Sequence, residues 1–186
     1  MKNLWLFAHI SLDGMAAGPN GEMDWIHVDE EIFDYVHSWV SQTTTALYGR
    51  NTYKMMESYW PTAGDKPNAS RHDKEHSAWY MKAKKYVLSN SMAPDDYGNV
   101  HIINGDIVPG IQEMKASADT DIILFGSPGA GHSLLKHDLI DGFMLFVNPK
   151  IIGPGIPVFE HQQKLNLQMK GAHTFNSGVV ALRYHK

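Results

Sequence analysis

Two hydrophobic periodicities alternate along this chain, and together they predict strands interleaved with helices. Short apolar runs are typical of buried strands, and apolar residues that recur every three or four positions are typical of one helix face. The apolar runs predict strands at 4–10, 43–48, 85–89, 100–103, 121–125 and 143–147. The helical pattern predicts one helix after Trp25 and others near 51–59, 74–82, 107–117 and 129–137.

This alternation of strands and helices predicts a parallel sheet. Residues 165–174 and 179–185 flank the turn signal Asn176-Ser177-Gly178 and predict a terminal hairpin. The expected fold class is therefore α/β, with a mixed, largely parallel sheet and an antiparallel hairpin at one edge. No internal repeat or linker-like composition interrupts the chain, so we expect a single domain over residues 1–186.

A long loop follows the first predicted strand. The segment 10–26, ISLDGMAAGPNGEMDWI, carries glycines, Pro19 and Asn20 before the next helix begins. Loops of this length in compact domains are usually functional or disordered, and the tryptophans at 5 and 25 argue against disorder. The sequence therefore predicts a functional loop whose glycines act as hinges.

Composition narrows the function classes. The 186 residues include no cysteine, which excludes disulfides, Cys-ligated metals and thiol nucleophiles. The net charge of −4 gives no reason to expect a nucleic-acid partner. No apolar run approaches the ~20 residues that span a bilayer, and no signal-peptide pattern is seen. The sequence predicts a soluble cytoplasmic protein without a membrane partner.

The candidate ligand site is read from the residues at the carboxyl ends of the strands, where open α/β sheets bind ligands. The segment FGSPGAGHSLL is a strand that turns through glycines into a helix, which suits a phosphate. The segment GRNT supplies a guanidinium and a hydroxyl, and LSNS supplies hydroxyls and an amide. A dinucleotide fits this set. The predicted cofactor-binding residues are Ala8, Gly49, Arg50, Thr52, Ser89, Asn90, Gly126, Ser127, Gly129, Ala130 and Gly131.

Four segments in this order, SLDGMAAG…GEMDWI, LYGRNTY, IILFGSPGAGHSLL and IDGFMLFVNPKIIGPGIPVF, resemble the dihydrofolate-reductase-like family. That family includes the C-terminal reductase domain of the bifunctional riboflavin-biosynthesis protein, and the resemblance covers nearly the whole chain. It implies a dihydrofolate-reductase-like three-layer fold with helices on both faces of the sheet. It also implies an NADPH-dependent reductase of a small heterocyclic substrate and a homodimer. It also implies that the loop after the first strand closes over nicotinamide and substrate, with Met15 and Trp25 excluding water.

The resemblance also indicates catalytic candidates, namely Asp13, Trp25 and Glu30, with Asp29 as the alternative to Glu30. Asp13 has a structural alternative as a turn-forming carboxylate that accepts hydrogen bonds from local amides. The structural alternative for Glu30 is a helix N-terminal acid that complements the helix dipole. The Ala-Asp-Asp-Pro stretch to which riboflavin reductases owe substrate binding is replaced here by GRNTYKMM, so the substrate stays open.

Two other functions compete with the reductase. The segment HDKEH, from His72 to His76, fits the H-x-x-E-H pattern of one metalloprotease group. The simpler interpretation of this segment is a helix start that faces solvent. No third ligand is evident, so no metal site is predicted. The other alternative is a non-catalytic, nucleotide-binding dimer of the same fold.

Overall fold

The computed structural model describes residues 1–93, 100–160 and 164–186. Its helices are α1 (Glu30–Val40), α2 (Arg50–Ala63), α3 (Arg71–Lys82), α4 (Ile107–Ser117) and α5 (Pro128–Lys136). Its strands are β1 (Leu4–Ile10), β2 (Met15–Ala17), β3 (Thr45–Gly49), β4 (Lys84–Leu88), β5 (Val100–Ile103), β6 (Ile122–Phe125), β7 (Gly142–Val147), β8 (Ile156–Pro157), β9 (Gln168–Thr174) and β10 (Val180–His185).

Eight strands form a mixed sheet in the order β5-β4-β3-β6-β1-β7-β10-β9. The pairs β5–β4, β4–β3 and β1–β7 are parallel, whereas β10 pairs antiparallel with both β7 and β9. The predicted fold class, including the antiparallel hairpin at one edge, is confirmed. Internal contacts divide the chain into two compact units. We call 1–2 with 28–123 the central unit, and 3–27 with 124–186 the terminal unit.

The central unit contains α1 to α4 with β3, β4 and β5. Its core includes three tyrosines on different elements, Tyr48, Tyr53 and Tyr80, all nearly inaccessible to solvent. The Tyr80 hydroxyl donates to Glu57 at 2.6 Å, which satisfies its polar end and joins α3 to α2. Such hydroxyls generally find a partner when the ring is buried.

The terminal unit contains β1, β2, α5 and β7 to β10. Leu6 on β1 lies under α5, since a Cβ on Gly131 would stand 3.7 Å from the leucine methyl. Phe143 and Phe146 on β7 are completely buried. Side chains on both faces of β7, and most of those on β1, thus supply the core of this unit.

Two local predictions are wrong. The helix predicted near 51–59 is longer than expected, because α2 continues through Pro61 to Ala63. Proline removes only one amide near the helix end, and Ser77 of α3 donates to the Trp60 carbonyl at 2.7 Å, which holds that turn in place. The HDKEH segment was expected to face solvent, yet His76 is 4% exposed.

The buried His76 packs against aromatic rings. The Trp60 ring lies 4.1 Å from it and the Trp79 ring 5.1 Å from it. Burial lowers the pKa of His76 to about 3, so the ring is neutral at pH 7. Within the described residues, no group of three metal-ligating side chains is placed to hold an ion. In the same part of the chain no helix is long and apolar enough to cross a membrane.

Candidate cofactor and active site

Arg50 is the first residue of α2 and directly follows β3. The N-cap, Gly49, has extended backbone and makes no side-chain cap hydrogen bond. Thr52 follows in the first turn and is half-buried. This arrangement places the predicted guanidinium and hydroxyl of the GRNT segment at one strand end, together with helix-start amides that were not predicted.

The Arg50 side chain extends to the loop that follows β4. Its Nη1 donates to Ser91 Oγ at 2.6 Å. In that loop Ser89 Oγ accepts from the amide of Met92 at 3.2 Å, and Asn90 Oδ1 accepts from the amide of Gly105 at 2.9 Å. Among the described residues, no carboxylate is paired with Arg50.

The glycine turn of the terminal unit joins β6 to α5. Gly126 and Ser127 both have left-handed backbone, with φ of 51° and 56°. Such a conformation is costly for a residue with a side chain, but Ser127 Oγ compensates by donating to the Phe125 carbonyl at 2.9 Å. The Gly126 amide donates to the Phe7 carbonyl at 2.7 Å, which fixes the turn to β1.

The next residues of the turn leave room for a ligand beside the backbone. Pro128 is the first helical residue, where its fixed φ and missing N–H are tolerated. A Cβ added at Gly129 would meet no atom within 4 Å, and Gly129 is exposed. Ala130 is half-buried, and Ala8 on β1 is buried.

The five helix starts fall into two groups. Three have a side chain that accepts from a first-turn amide, namely Asp29 for α1, Ser70 for α3 and Asp106 for α4. The other two, α2 and α5, have no side-chain cap hydrogen bond. The sequence predicted phosphate binding at the start of α5, and a guanidinium and a hydroxyl of the same dinucleotide site at the start of α2. Uncapped amides at a helix start, together with the dipole, favour an anion.

Asp13, a predicted catalytic residue, is exposed and engaged with the loop that follows β7. Its carboxylate accepts from Ser11 Oγ at 2.6 Å and from the amide of Gly153 at 2.9 Å. The Ser11 hydrogen bond, together with those of the amides, lowers the pKa of Asp13. These contacts match the turn-forming alternative, and an ionised carboxylate does not donate a proton at neutral pH.

The first half of the long loop is tied down by a two-stranded pairing that the sequence did not predict. Met15 pairs with Pro157 and Ala17 with Ile156, so that β2 and β8 run antiparallel. Gly155 must lack a side chain here, because a Cβ would stand 2.5 Å from the Ala17 carbonyl oxygen. The β8 segment is in turn attached to α5 through His132.

His132 lies on α5, one turn beyond the glycines. Its Nε2 is 2.9 Å from the Pro157 carbonyl oxygen, and its Nδ1 is 3.0 Å from Glu160. The long loop, β8 and the helix of the glycine turn are therefore linked through consecutive hydrogen bonds in one unit.

The second half of the long loop closes on itself around Glu22. The Glu22 carboxylate accepts from Asn20, and its backbone carbonyl accepts from Trp25 Nε1 at 3.1 Å. Trp25 is half-buried, and its indole nitrogen has this local role. The loop ends where the His27 amide donates to Asn148 Oδ1 at 2.9 Å.

Asn148 is a residue that the sequence analysis missed. It is fully buried at the end of β7, and its Nδ2 lies within hydrogen-bond distance of the Ile10 and Phe146 carbonyls. A polar residue directly after a buried strand, in the segment FVNP, was the available signal. Ser91 was also missed, although it belongs to the same LSNS segment as the two predicted residues.

The two acids at the start of α1 have different roles. Asp29 is the N-cap and accepts from the Ile32 amide at 2.9 Å. Glu30 is the first helical residue and is exposed. Of the pair, Glu30 therefore has the carboxylate that is not used to cap the helix.

Two proteins of Bacillus subtilis are similar to this chain in sequence over nearly its whole length. A protein described as "Uncharacterized protein YyaP" from Bacillus subtilis is 32% identical over 179 residues, covering 95% of this chain and 90% of that protein. A second Bacillus subtilis protein, "Uncharacterized protein YwjB", is 29% identical over 94% of this chain and 92% of its own length.

Solved structures share the fold. A protein from Shewanella sp. PV-4 has 24% identity and a TM-score of 0.72, covering 98% of both chains. A diaminohydroxyphosphoribosylaminopyrimidine deaminase/5-amino-6-(5-phosphoribosylamino)uracil reductase from Thermotoga maritima has 17% identity and a TM-score of 0.65. This chain is covered to 99% and spans 56% of that larger protein. The RibD C-terminal domain family matches residues 2–181. The chain belongs to the RibD C-terminal domain family.

Proposed function

We propose that this protein is an NADPH-dependent reductase of a small heterocyclic substrate, of the kind reduced by 5-amino-6-(5-phosphoribosylamino)uracil reductases. The observation that carries the proposal is the absence of side-chain caps at α2 and α5, the two helix starts where the sequence predicted cofactor-binding residues. Family membership supports an oxidoreductase of the riboflavin-pathway type.

The residues fit the cofactor in chemical terms. The exposed backbone at Gly129, beside which a Cβ would meet open space, suits a pyrophosphate that approaches the helix start. Arg50, with Ser91 beside it, suits the 2′-phosphate, because a guanidinium can bind two phosphate oxygens at once. When bound, NADPH would supply a hydride to the substrate.

The chain itself would contribute binding, orientation and exclusion of water. The loop at 11–27 would cover the nicotinamide with Met15 and Trp25, while Asp13 and Asn148 would hold its two ends. Glu30 would be the carboxylate available to the substrate. We also propose, from the family resemblance, that the chain forms one functional domain and assembles as a homodimer.

A direct test is calorimetric titration with NADPH, followed by the loss of NADPH absorbance when 5-amino-6-(5-phosphoribosylamino)uracil, dihydropteridines or flavins are added. Micromolar NADPH binding and turnover of one heterocycle are expected. A folded protein that does not bind NADPH would contradict the proposal. Binding without turnover of any compound in this panel would favour the non-catalytic nucleotide-binding alternative, which the ionised, loop-bound Asp13 also suits.

A further inference from the structure

One face of β1, an interior strand of the sheet, is only partly covered, and we call this partly covered area the opening. The strand lies between β6 and β7, and a strand with neighbours on both sides normally buries both of its faces. Five of its seven residues are buried, and the two half-buried ones are Phe7 and His9, which share a face. Leu6, which lies under α5, belongs to the opposite face. The opening occupies the carboxyl half of the strand, where sheets of this class bind ligands.

The side chains around this opening form a wall of aromatic rings. Phe7 lies 5.4 Å from Phe125 and 5.1 Å from Phe146, measured between ring centroids. Phe146 continues the row to Phe175 at 6.1 Å. His9 stacks on Phe146 at 4.8 Å, with an angle of 23° between the ring planes. Phe125, Phe146 and Phe175 are buried, so the half-buried Phe7 is the phenylalanine of this wall that can contact a flat ring.

His9 is the polar member of this wall. Its Nδ1 is enclosed and has no hydrogen-bond partner in the described part of the chain. Burial lowers the pKa of His9 to about 4, so the ring is neutral at pH 7 and has one N–H. Since an enclosed donor without an acceptor costs free energy, the proton is more stable on Nε2. His9 therefore presents an Nε2–H donor beside an aromatic wall.

We propose that His9 is a specificity-determining residue that donates Nε2–H to a carbonyl oxygen or ring nitrogen of a flat heterocycle lying against Phe7. The inference rests on the proposed function and names the substrate-side contact of that site. A pyrimidine or pteridine ring offers such acceptors, whereas an apolar aromatic ring would leave the donor unpaired. A neutral donor in apolar surroundings also favours an uncharged acceptor.

The test compares wild type with His9→Phe, which keeps an aromatic ring to stack on Phe146 and removes the donor. His173→Phe is the matched control, because His173 is exposed on the edge strand β9 and contacts Phe175 edge-on at 4.7 Å. Each protein is titrated calorimetrically with NADPH and with 5-amino-6-(5-phosphoribosylamino)uracil. We expect His9→Phe to bind the uracil compound about three- to tenfold more weakly, as the loss of one neutral hydrogen bond implies, with NADPH affinity unchanged.

The outcomes separate the two proposals. Wild type that binds no NADPH refutes the proposed function. Wild type that binds NADPH but not the uracil compound overturns the His9 inference alone. Equal losses for both ligands in His9→Phe, or no loss for either, would likewise overturn it, because the first indicates a structural role and the second none.

A second measurement needs no variant. Nitrogen-15 spectra of histidine-labelled wild type should show His9 protonated at Nε2 and unprotonated at Nδ1 at pH 7. The Nε2 signal should shift when the uracil compound is added. A His9 signal from the Nδ1–H tautomer, or one that the compound leaves unchanged, would overturn the inference.

Discussion

The two predicted phosphate sites use different parts of the polypeptide. In the central unit the group predicted to bind phosphate is a side chain, that of Arg50, which extends over the loop after β4 and donates to Ser91. In the terminal unit it is the backbone, shaped by consecutive left-handed residues at Gly126 and Ser127. A side-chain site distinguishes ligands by charge and can be removed by one truncation. A backbone site distinguishes them by shape and is removed by adding atoms.

The largest expected effect comes from filling the backbone site. Gly129→Val should lower NADPH affinity roughly a hundredfold or more, which corresponds to at least about 2.7 kcal/mol, because the branched side chain would occupy the space meant for the pyrophosphate. The fold should survive, since a Cβ at this position meets no other atom. Calorimetry measures the affinity and thermal unfolding checks the fold. Unchanged affinity in a folded variant would make the turn purely structural.

Removing the side-chain site should have a smaller and more selective effect. Arg50→Ala should weaken NADPH about ten- to a hundredfold, since hydrogen bonds to a charged group contribute ~1.5–3 kcal/mol. NADH, which lacks the 2′-phosphate, should bind nearly as before. Titrating both cofactors into this variant gives the answer.

Arg71→Ala is the matched control for that experiment, because Arg71 is another exposed arginine of the central unit and pairs with Asp34 on α1. It should leave both cofactors unaffected. An equal loss of NADPH and NADH in Arg50→Ala would instead assign Arg50 to the pyrophosphate or to the scaffold.

Alanine substitutions sharpen the comparison within the glycine turn itself. Gly126→Ala should lower the free energy of unfolding by about 1–2 kcal/mol, because its φ of 51° disfavours a side chain. Gly129→Ala should raise it by up to ~1 kcal/mol, because alanine is the better helix former. No atom lies within 4 Å of either added Cβ, so backbone conformation alone distinguishes them. Chemical denaturation measures both, and changes of the same sign would contradict this account.

The smallest expected effect is a difference in hydrogen exchange. NADPH should slow exchange at the amides of 129–131 several-fold, because this backbone is the predicted contact, and should slow the loop tip at 18–25 as well. The amides at 14–17 should change less, since β2 is already paired with β8. Equal protection of the loop tip with and without NADPH would count against its role as a lid.

The sequence predicted most of the fold because its signals are local. Each strand of the eight-stranded sheet was located within a few residues, since a buried apolar run needs no partner to be recognised. The β2–β8 pair could not be predicted, because Ile156-Pro157 is too short for a pattern and its partner lies 140 residues away in the chain. His76 was misplaced because a polar residue buried among aromatic rings looks like any solvent-facing histidine.

In the candidate site, too, the local features were predictable from the sequence and the long-range contacts were not. The uncapped start of α2 follows from its sequence, because its N-cap Gly49 has no side chain. That of α5 does not, because the hydroxyl of its N-cap Ser127 could cap but donates to the Phe125 carbonyl instead. The contacts of Asp13 and Asn148 depend on tertiary structure, since each joins segments more than a hundred residues apart. Whether the predicted catalytic residues act in chemistry stays a prediction.

The ties between the long loop and the segment at 148–158 have a consequence for evolution and design. Residues 11–17 and 148–158 form hydrogen bonds with each other. A change in the backbone of one segment therefore requires a matching change in the other. A loop transferred alone from a related protein would leave some of these hydrogen-bonding groups without their partners. The two stretches should therefore be inherited, and transplanted, as a single cassette.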